Sequence, residues 1–268
     1  MGKLVEMTGR PSIFITGAAA GIGRATAELF GTNGWFVGLY DIDETGVQAL
    51  RQQLGTANAV AGRLDVTDAA AVAQALGAFF SAAGRRLDVL FNNAGIAYTG
   101  GFEATPLERH HAIVEVNLKG VINGCHAAFP YLKQTPGAAV LSMCSASAIY
   151  GAPGLASYGA TKFGVRGLTE ALSIEWQQHG IAVMDLLPLF VNTAMVARFE
   201  AQLKAKDLLG MHLAAPDVAR AAWRAVHWPR GWRRVHWYPG WQSWLLALAQ
   251  KLSPGWMNRF STKAISGY

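Results

Sequence analysis

The sequence predicts an α/β fold: a single doubly wound parallel sheet with helices on both faces. Three observations carry this. Apolar, β-rich runs alternate with Ala-rich helical stretches along most of the 268 residues. The strand runs are continuously apolar, as strands covered on both faces are. No repeat, low-complexity tract or Pro/Gly-rich linker divides the chain, so residues 1–268 read as one domain. With 51% hydrophobic and 15% charged residues, disorder is excluded for the bulk of it.

Each element has a local reason. SIFIT (12–16) is a short β-branched strand, and the helix from Gly21 to Asn33 is ended by Gly34. WFVGLY (35–40) is the next strand, 44–54 a helix and AVAGRL (59–64) a strand. Asp68 to Ala83 is an Ala-rich helix closed by Gly84, and LDVLF (87–91) is a buried strand. Thr105-Pro-Leu-Glu108 reads as a capping box with Pro106 at the first helical position, opening a helix to about Lys133. AAVLSM (138–143) is a strand, Ala156 to Gln178 a helix and IAVMDLL (181–187) a strand. Residues 189–212 read as irregular to helical; Ala-Pro-Asp217 opens another helix, 232–238 is a last strand and 241–251 a last helix.

Two cysteines, Cys125 and Cys144, make neither a disulfide framework nor a zinc signature. The N-terminal residues lack the pattern of a secretory signal, and no apolar run reaches about 18 residues, so a cytoplasmic setting is expected. The seven histidines show no ligand spacing, so no metal is expected.

The first strand runs into TGAAAGIG (16–23). Gly17, Gly21 and Gly23 would let the chain turn tightly and bring the N-terminal N–H groups of a helix to a pyrophosphate; an ordinary strand-to-helix turn is the plainer alternative. Asp41 ends the second strand, 18 residues after Gly23, where a carboxylate accepts from adenosine ribose hydroxyls and repels a 2′-phosphate. This points to NAD. Asp65, in LDVTD, lies beside an adenine or else caps the turn at Thr67.

These residues and four further motifs resemble the short-chain dehydrogenases/reductases, the single-domain Rossmann branch with TGxxxGxG. Asn92-Asn93-Ala94-Gly95 matches the family's NNAG, and Tyr158 and Lys162 its YxxxK. Ser145 lies 13 residues before Tyr158, at the family serine, and Asn117 in VNLKG matches the family's helix asparagine. The resemblance implies a catalytic set of Asn117, Ser145, Tyr158 and Lys162. It implies cofactor contacts from Gly17, Ala20, Gly21, Ile22, Gly23, Asp41, Asp65, Val66, Asn93, Ala94, Gly95, Tyr158, Lys162, Pro188, Val191 and Thr193. Tyr158 and Lys162 are four apart, so they share a helix face, and a neighbouring ammonium together with the positive nicotinamide ring of the oxidised cofactor is expected to lower the phenol's pKa. Tyr158 would then move the proton, Ser145 would hold the substrate oxygen, and Asn117 would hold a water linking Lys162 to solvent. One departure stands out: Leu189 follows Pro188 where the family has glycine.

The stretch 189–213 occupies the family's variable substrate lid; Met195, Phe199, Leu203 and Met211 offer an apolar lining. Net charge is +6, yet residues 218–268 hold eight Lys or Arg and no Asp or Glu, with seven of the nine tryptophans. The preferred reading of this Trp/Arg-rich segment is packing in a core or subunit interface. Peripheral contact with a membrane surface is the alternative, and nucleic acid is set aside because no such motif accompanies it. The segment loosely resembles those of hydroxysteroid- and retinol-type members. The sequence therefore implies an NAD-dependent oxidoreductase of an apolar secondary alcohol or ketone (steroid-, retinoid- or lipid-like), paired as a homodimer or homotetramer through helices 105–133 and 156–178. The competing readings are a non-catalytic nucleotide-binding regulatory protein of the same fold and an epimerase or dehydratase of the related branch, the latter disfavoured by length and glycine spacing.

Overall fold

The computed structural model describes residues 9–197, 210, 212–229 and 234–267. Its strands are β1 (Ser12–Thr16), β2 (Phe36–Asp41), β3 (Ala59–Arg63), β4 (Val89–Asn92), β5 (Ala139–Met143), β6 (Ala182–Leu186), β7 (Val191–Asn192), β8 (Leu213–Ala214) and β9 (His236–Trp237). Seven of them form one parallel sheet in the order β3-β2-β1-β4-β5-β6-β9, and β7 pairs with β8 apart from it. The order reverses between β1 and β4, which opens a crevice at their C-terminal ends.

The helices are α1 (Gly21–Thr32), α2 (Glu44–Leu54), α3 (Ala69–Ala82), α4 (Leu107–Val114), α5 (Gly120–Leu132), α6 (Ala156–Glu175), α7 (Ala194–Ala197), α8 (Ala215–His227), α9 (Trp241–Leu252) and α10 (Gly255–Ser266). Successive strand residues point to opposite faces. Ile13 and Ile15 of β1 join Phe30, Leu50 and Val218 in one core, while Phe14 joins Phe79, Val121 and Val165 in the other. Both faces of the sheet are therefore covered, as its uninterrupted apolar strands require.

Asp68 caps α3 by accepting from the Ala71 N–H at 3.0 Å. The capping box expected at Thr105 does not form. The Thr105 hydroxyl donates instead to Gly101 O at 2.9 Å, Pro106 takes extended backbone (ψ 139°), and the helix begins at Leu107. Nor is that helix continuous: Glu115–Lys119 makes a π-helical turn between α4 and α5. Within the expected strand 232–238 only His236–Trp237 pairs, and residues 232 and 233 lie outside the described residues. The final helix, α10, was not expected from the sequence; Pro254 precedes it and Gly267, in left-handed backbone, ends it.

The Trp-rich segment divides in two. Trp223 of α8 packs edge-on against Phe30, ring centres 4.9 Å apart, and stacks on His227 at 3.9 Å, beside buried Trp35. Trp228, Trp241, Trp244 and Trp256 are exposed on this chain, so among the described residues the core reading holds for Trp223 and Trp237. Trp223→Ala removes the ring that joins α8 to α1. A loss of about 3 kcal/mol is expected, read as a lowered midpoint in denaturant unfolding.

Candidate active site

The crevice between β1 and β4 is built around close backbone approaches. Gly17 has φ +69°, and a Cβ there would lie 2.8 Å from Ala94 Cα; a Cβ on Gly23 would meet Gly17 O at 2.0 Å. Only glycine lets the turn and the first turn of α1 pack this tightly. Ala20 caps α1 without a side-chain bond, and the first turn carries no acid. Its N–H groups and the positive helix end face the crevice near exposed Ala20. Ile22 lies behind, against the core.

Asp41, the last residue of β2, reaches across this turn. Its Oδ2 accepts from the Ala19 N–H at 3.0 Å and its Oδ1 from the Asp43 N–H at 3.1 Å. Asp65 is bonded to Thr67 by both backbone N–H (2.9 Å) and hydroxyl (2.8 Å), the turn-capping alternative. Val66 is buried, and its carbonyl accepts from Asn123 at 2.9 Å.

Thr16 and Asn93 tie the two strand ends together. The Thr16 hydroxyl accepts from the N–H groups of Asn93 (3.0 Å) and Ala94 (3.1 Å). Asn93 donates to Thr16 O and Gly17 O, each at 3.0 Å. Beyond Gly95, the fully buried Asn117 holds Ile96 at both ends. Its Oδ1 accepts from Ile96 N–H and its Nδ2 donates to Ile96 O, both at 2.8 Å. Asn117 sits within the π turn, which aims its side chain at this loop. The Asn117 carboxamide thus positions Ile96.

Tyr158 and Lys162 lie one turn apart on α6, with Lys162 Nζ 5.4 Å from the centre of the Tyr158 ring. Ser145, just after β5, accepts from the Ser147 N–H at 3.1 Å and has its hydroxyl near the Tyr158 phenol. Lys162 is 3% exposed and donates to Met143 O at 2.8 Å. Burial lowers its pKa to about 8. Burial also raises Tyr158 to about 12, with the nearby Ser145 hydroxyl acting the other way. The lowering expected from the neighbouring ammonium does not appear, because lost hydration is the larger effect.

The departure at Leu189 is harmless to the backbone. Among the described residues only Arg85 and glycines have positive φ, and Leu189 packs on the core. Pro188 O accepts from Ala146 N–H at 2.8 Å, Val191 is buried, and the Thr193 methyl lies over Gly21. Phe199, Leu203 and Met211 of the expected lid lie outside the described residues; Met195 is exposed.

Sequence reasoning missed two groups. Tyr98, Phe102, His110, Ile113 and Leu155 line a small cleft beside Tyr158. His110 Nδ1 is 2.7 Å from Ser157 Oγ and Nε2 is 3.0 Å from Phe102 O. No spacing signals this, since loop and helix meet only in the fold. The second group runs along α6 beyond Lys162, where Arg166 pairs with Glu170 (3.1 Å) and Glu170 with His236 (3.0 Å). His236 Nδ1 is 2.8 Å from the fully buried Asp185, and this chain pins β9 to α6. Burial pushes the Asp185 carboxyl up. Burial opposes charge on His236, but the bond and charge of Asp185 carry its pKa up overall. A lone Asp within IAVMDLL is the signal that was available.

The chain matches the short chain dehydrogenase family over residues 11–204 and belongs to it. It is 35% identical to a 2,5-dichloro-2,5-cyclohexadiene-1,4-diol dehydrogenase of Sphingobium indicum, over 68% of this chain and 74% of that one. It is 33% identical to a 3beta-hydroxysteroid dehydrogenase of Eggerthella lenta, over 80% and 86%. A match at 36% identity to an uncharacterized short-chain type dehydrogenase/reductase of Sinorhizobium fredii covers 70% of this chain but 34% of that longer protein. Among solved structures, a 3-ketoacyl-(acyl-carrier-protein) reductase of Brucella melitensis complexed with NADH superposes with TM-score 0.78, at 29% identity, over 85% of this chain and 96% of that one. An alcohol dehydrogenase of Thermococcus sibiricus complexed with 5-hydroxy-NADP gives 0.76 at 26% identity, over 85% and 95%. The protein is therefore an oxidoreductase of this family, with a Rossmann-type parallel sheet and a site for a nicotinamide cofactor.

The residues present fit such a cofactor. An ammonium has three donors, and among the described residues Lys162 has one protein acceptor, leaving donors for ribose hydroxyls. Below about 8 Lys162 is charged; above it the charge is lost. Cofactor affinity is expected to hold on the acid side of that value and to weaken above it. A fluorescence titration of the reduced cofactor across the range checks this, and an affinity indifferent to pH removes Lys162 from the ribose.

Proposed function

We propose that this protein is an NAD(H)-dependent oxidoreductase of apolar secondary alcohols and ketones, steroid-, retinoid- or lipid-like. The observation that carries it is a phenol, a hydroxyl and a buried ammonium placed together, Ser145 just after β5 and Tyr158 and Lys162 one turn apart on α6. Tyr158 also lines the small cleft formed with Tyr98, Phe102, His110, Ile113 and Leu155. When bound, the nicotinamide supplies the hydride acceptor or donor. The chain's own residues do the rest. Ser145 holds the substrate oxygen, Tyr158 gives or takes its proton, and Lys162 would hold the cofactor ribose. With its pKa raised to about 12, the phenol is protonated at neutral pH and ready to donate, the state that carbonyl reduction needs. The steroid and chlorinated-diene substrates named for two relatives support an apolar substrate.

Tyr158→Phe keeps the ring and removes the proton carrier. Turnover of a panel of apolar secondary alcohols and ketones, followed at the nicotinamide absorbance, should fall by at least about a thousandfold while cofactor still binds. Near-normal rates in that variant would remove Tyr158 from the reaction.

Asp41 supports NAD over NADP, because a 2′-phosphate would bring further negative charge against its carboxylate. Arg24 is paired with Glu28 at 3.0 Å and bonded to Gln53 at 2.9 Å, while exposed Arg63 stands opposite Asp41 in the register of β2 and β3. A kcat/KM at least about tenfold higher with NAD is expected, and a higher value with NADP overturns the assignment. Asp65, Val66, Pro188, Val191 and Thr193 complete the cofactor contacts in this reading.

We read the protein as a cytoplasmic homodimer or homotetramer. Exposed Leu107, Val114 and Ile122 on α4–α5, and Phe163 and Ile174 on α6, support pairing through these helices. The two free, buried cysteines agree with a reducing compartment.

A further inference from the structure

We propose that the outer face of α9 and α10 is a docking surface for a lipid bilayer with anionic headgroups. The proposal goes beyond the catalytic reading and concerns a separate face of the molecule.

On α9 the exposed large apolar residues are Trp241, Trp244, Leu245, Leu248 and Leu252, spaced 3, 4, 7 and 11 from the first. That is one stripe of a helix, and it faces outward. The opposite side does the packing: Ser243 is fully buried, and Leu246 and Ala247 rest on the core. α10 buries no residue and presents Trp256, Met257 and Phe260. Asn258 donates to Gln250 O (3.1 Å) and Ser253 O (3.2 Å), fixing the second helix against the end of the first. Trp241 and Trp256 are each 71% exposed, Leu252 75% and Phe260 69%, so two short helices expose eight large apolar side chains that the fold does not use. Patches of this kind mark interaction sites.

The charges select the occupant. Lys251, Arg259 and Lys263 are exposed on the same two helices, and from residue 218 to the end there is no carboxylate side chain. A second copy meeting this face across a two-fold axis would set like charges together with no acid of this segment to neutralise them. A bilayer with anionic headgroups has the complementary charge. Its interface also suits tryptophan, whose apolar ring and polar N–H sit at headgroup level. Each helix has 12 residues, and among the described residues no helix is long and apolar enough to cross a membrane, so the pair lies on the surface.

The test is flotation of the full chain with vesicles of mixed phosphatidylcholine and phosphatidylglycerol, against vesicles of phosphatidylcholine alone. The protein should float with the mixed vesicles at low salt and largely stay behind with the neutral ones. Binding should fall as salt shortens the Debye length from about 10 Å at 0.1 M to about 3 Å at 1 M. Exchanging Lys251, Arg259 and Lys263 together for Gln should weaken partition by about a hundredfold, and Trp241→Ser with Trp256→Ser by at least about tenfold. Failure to float with either vesicle at low salt overturns the proposal, as does binding that neither salt nor these exchanges alter. An oligomer that the tryptophan exchanges split, in a protein that ignores vesicles, assigns the face to a second copy and also overturns it. Should a variant fail to fold, the salt series on the unaltered chain decides.

Discussion

Lys162 carries an ammonium to a position 3% exposed to water, and much of the surrounding architecture answers that burial. Removing a charge from water is costly unless other dipoles replace the lost hydration. Here the Met143 carbonyl, at the end of β5, supplies one replacement. The face of the Tyr158 ring lies 5.4 Å away, and a Cβ on Gly95 would lie 3.2 Å from the Asn117 carboxamide oxygen and 3.8 Å from the Lys162 amine. What cannot be replaced shows as the pKa near 8. The same shielding from water raises the phenol one turn earlier on the helix, so both groups are set by a single cause.

The second requirement is that the ends of β1 and β4 stay in register where the sheet order reverses. Thr16 and Asn93 do this with four hydrogen bonds between a hydroxyl, a carboxamide and four backbone groups. With the strand ends fixed, the glycine turn has one path into α1, and the helix N-terminus is aimed into the crevice. The further reach of Asp41 to Ala19 closes the turn from the β2 side. Side chains on three neighbouring strands or strand ends therefore hold one cradle.

Much of this was legible in the sequence, for physical reasons. Strands buried on both faces leave continuous apolar runs, and all six long strands were found within two or three residues. The spacing of Tyr158 and Lys162 guarantees a shared helix face wherever the helix lies. Boundaries that depend on competing local bonds were not legible. At Thr105 one hydroxyl could cap a helix or bond back to Gly101, and only the folded loop decides. The depression of the Tyr158 pKa failed for a related reason. Proximity of an ammonium can be read from spacing, whereas burial of both groups is a property of the packed site. The Asp185–His236 pair and the aromatic cleft join residues remote in sequence, so no local pattern records them.

The π turn at Glu115–Lys119 has a consequence for how this helix tolerates change. A surplus residue wound as regular helix would turn all that follows by about 100° around the helix axis, and the wider turn absorbs it. Val121, Cys125, Ala128 and Leu132 of α5 face the core because that residue is absorbed. The turn thus sets the phase of the second half of the helix as well as the aim of Asn117. A single deletion there, sparing Asn117, would restore regular winding and leave the buried seam of α5 facing the interior. One further residue would instead rotate that seam out and expose the polar side of α5 to the core.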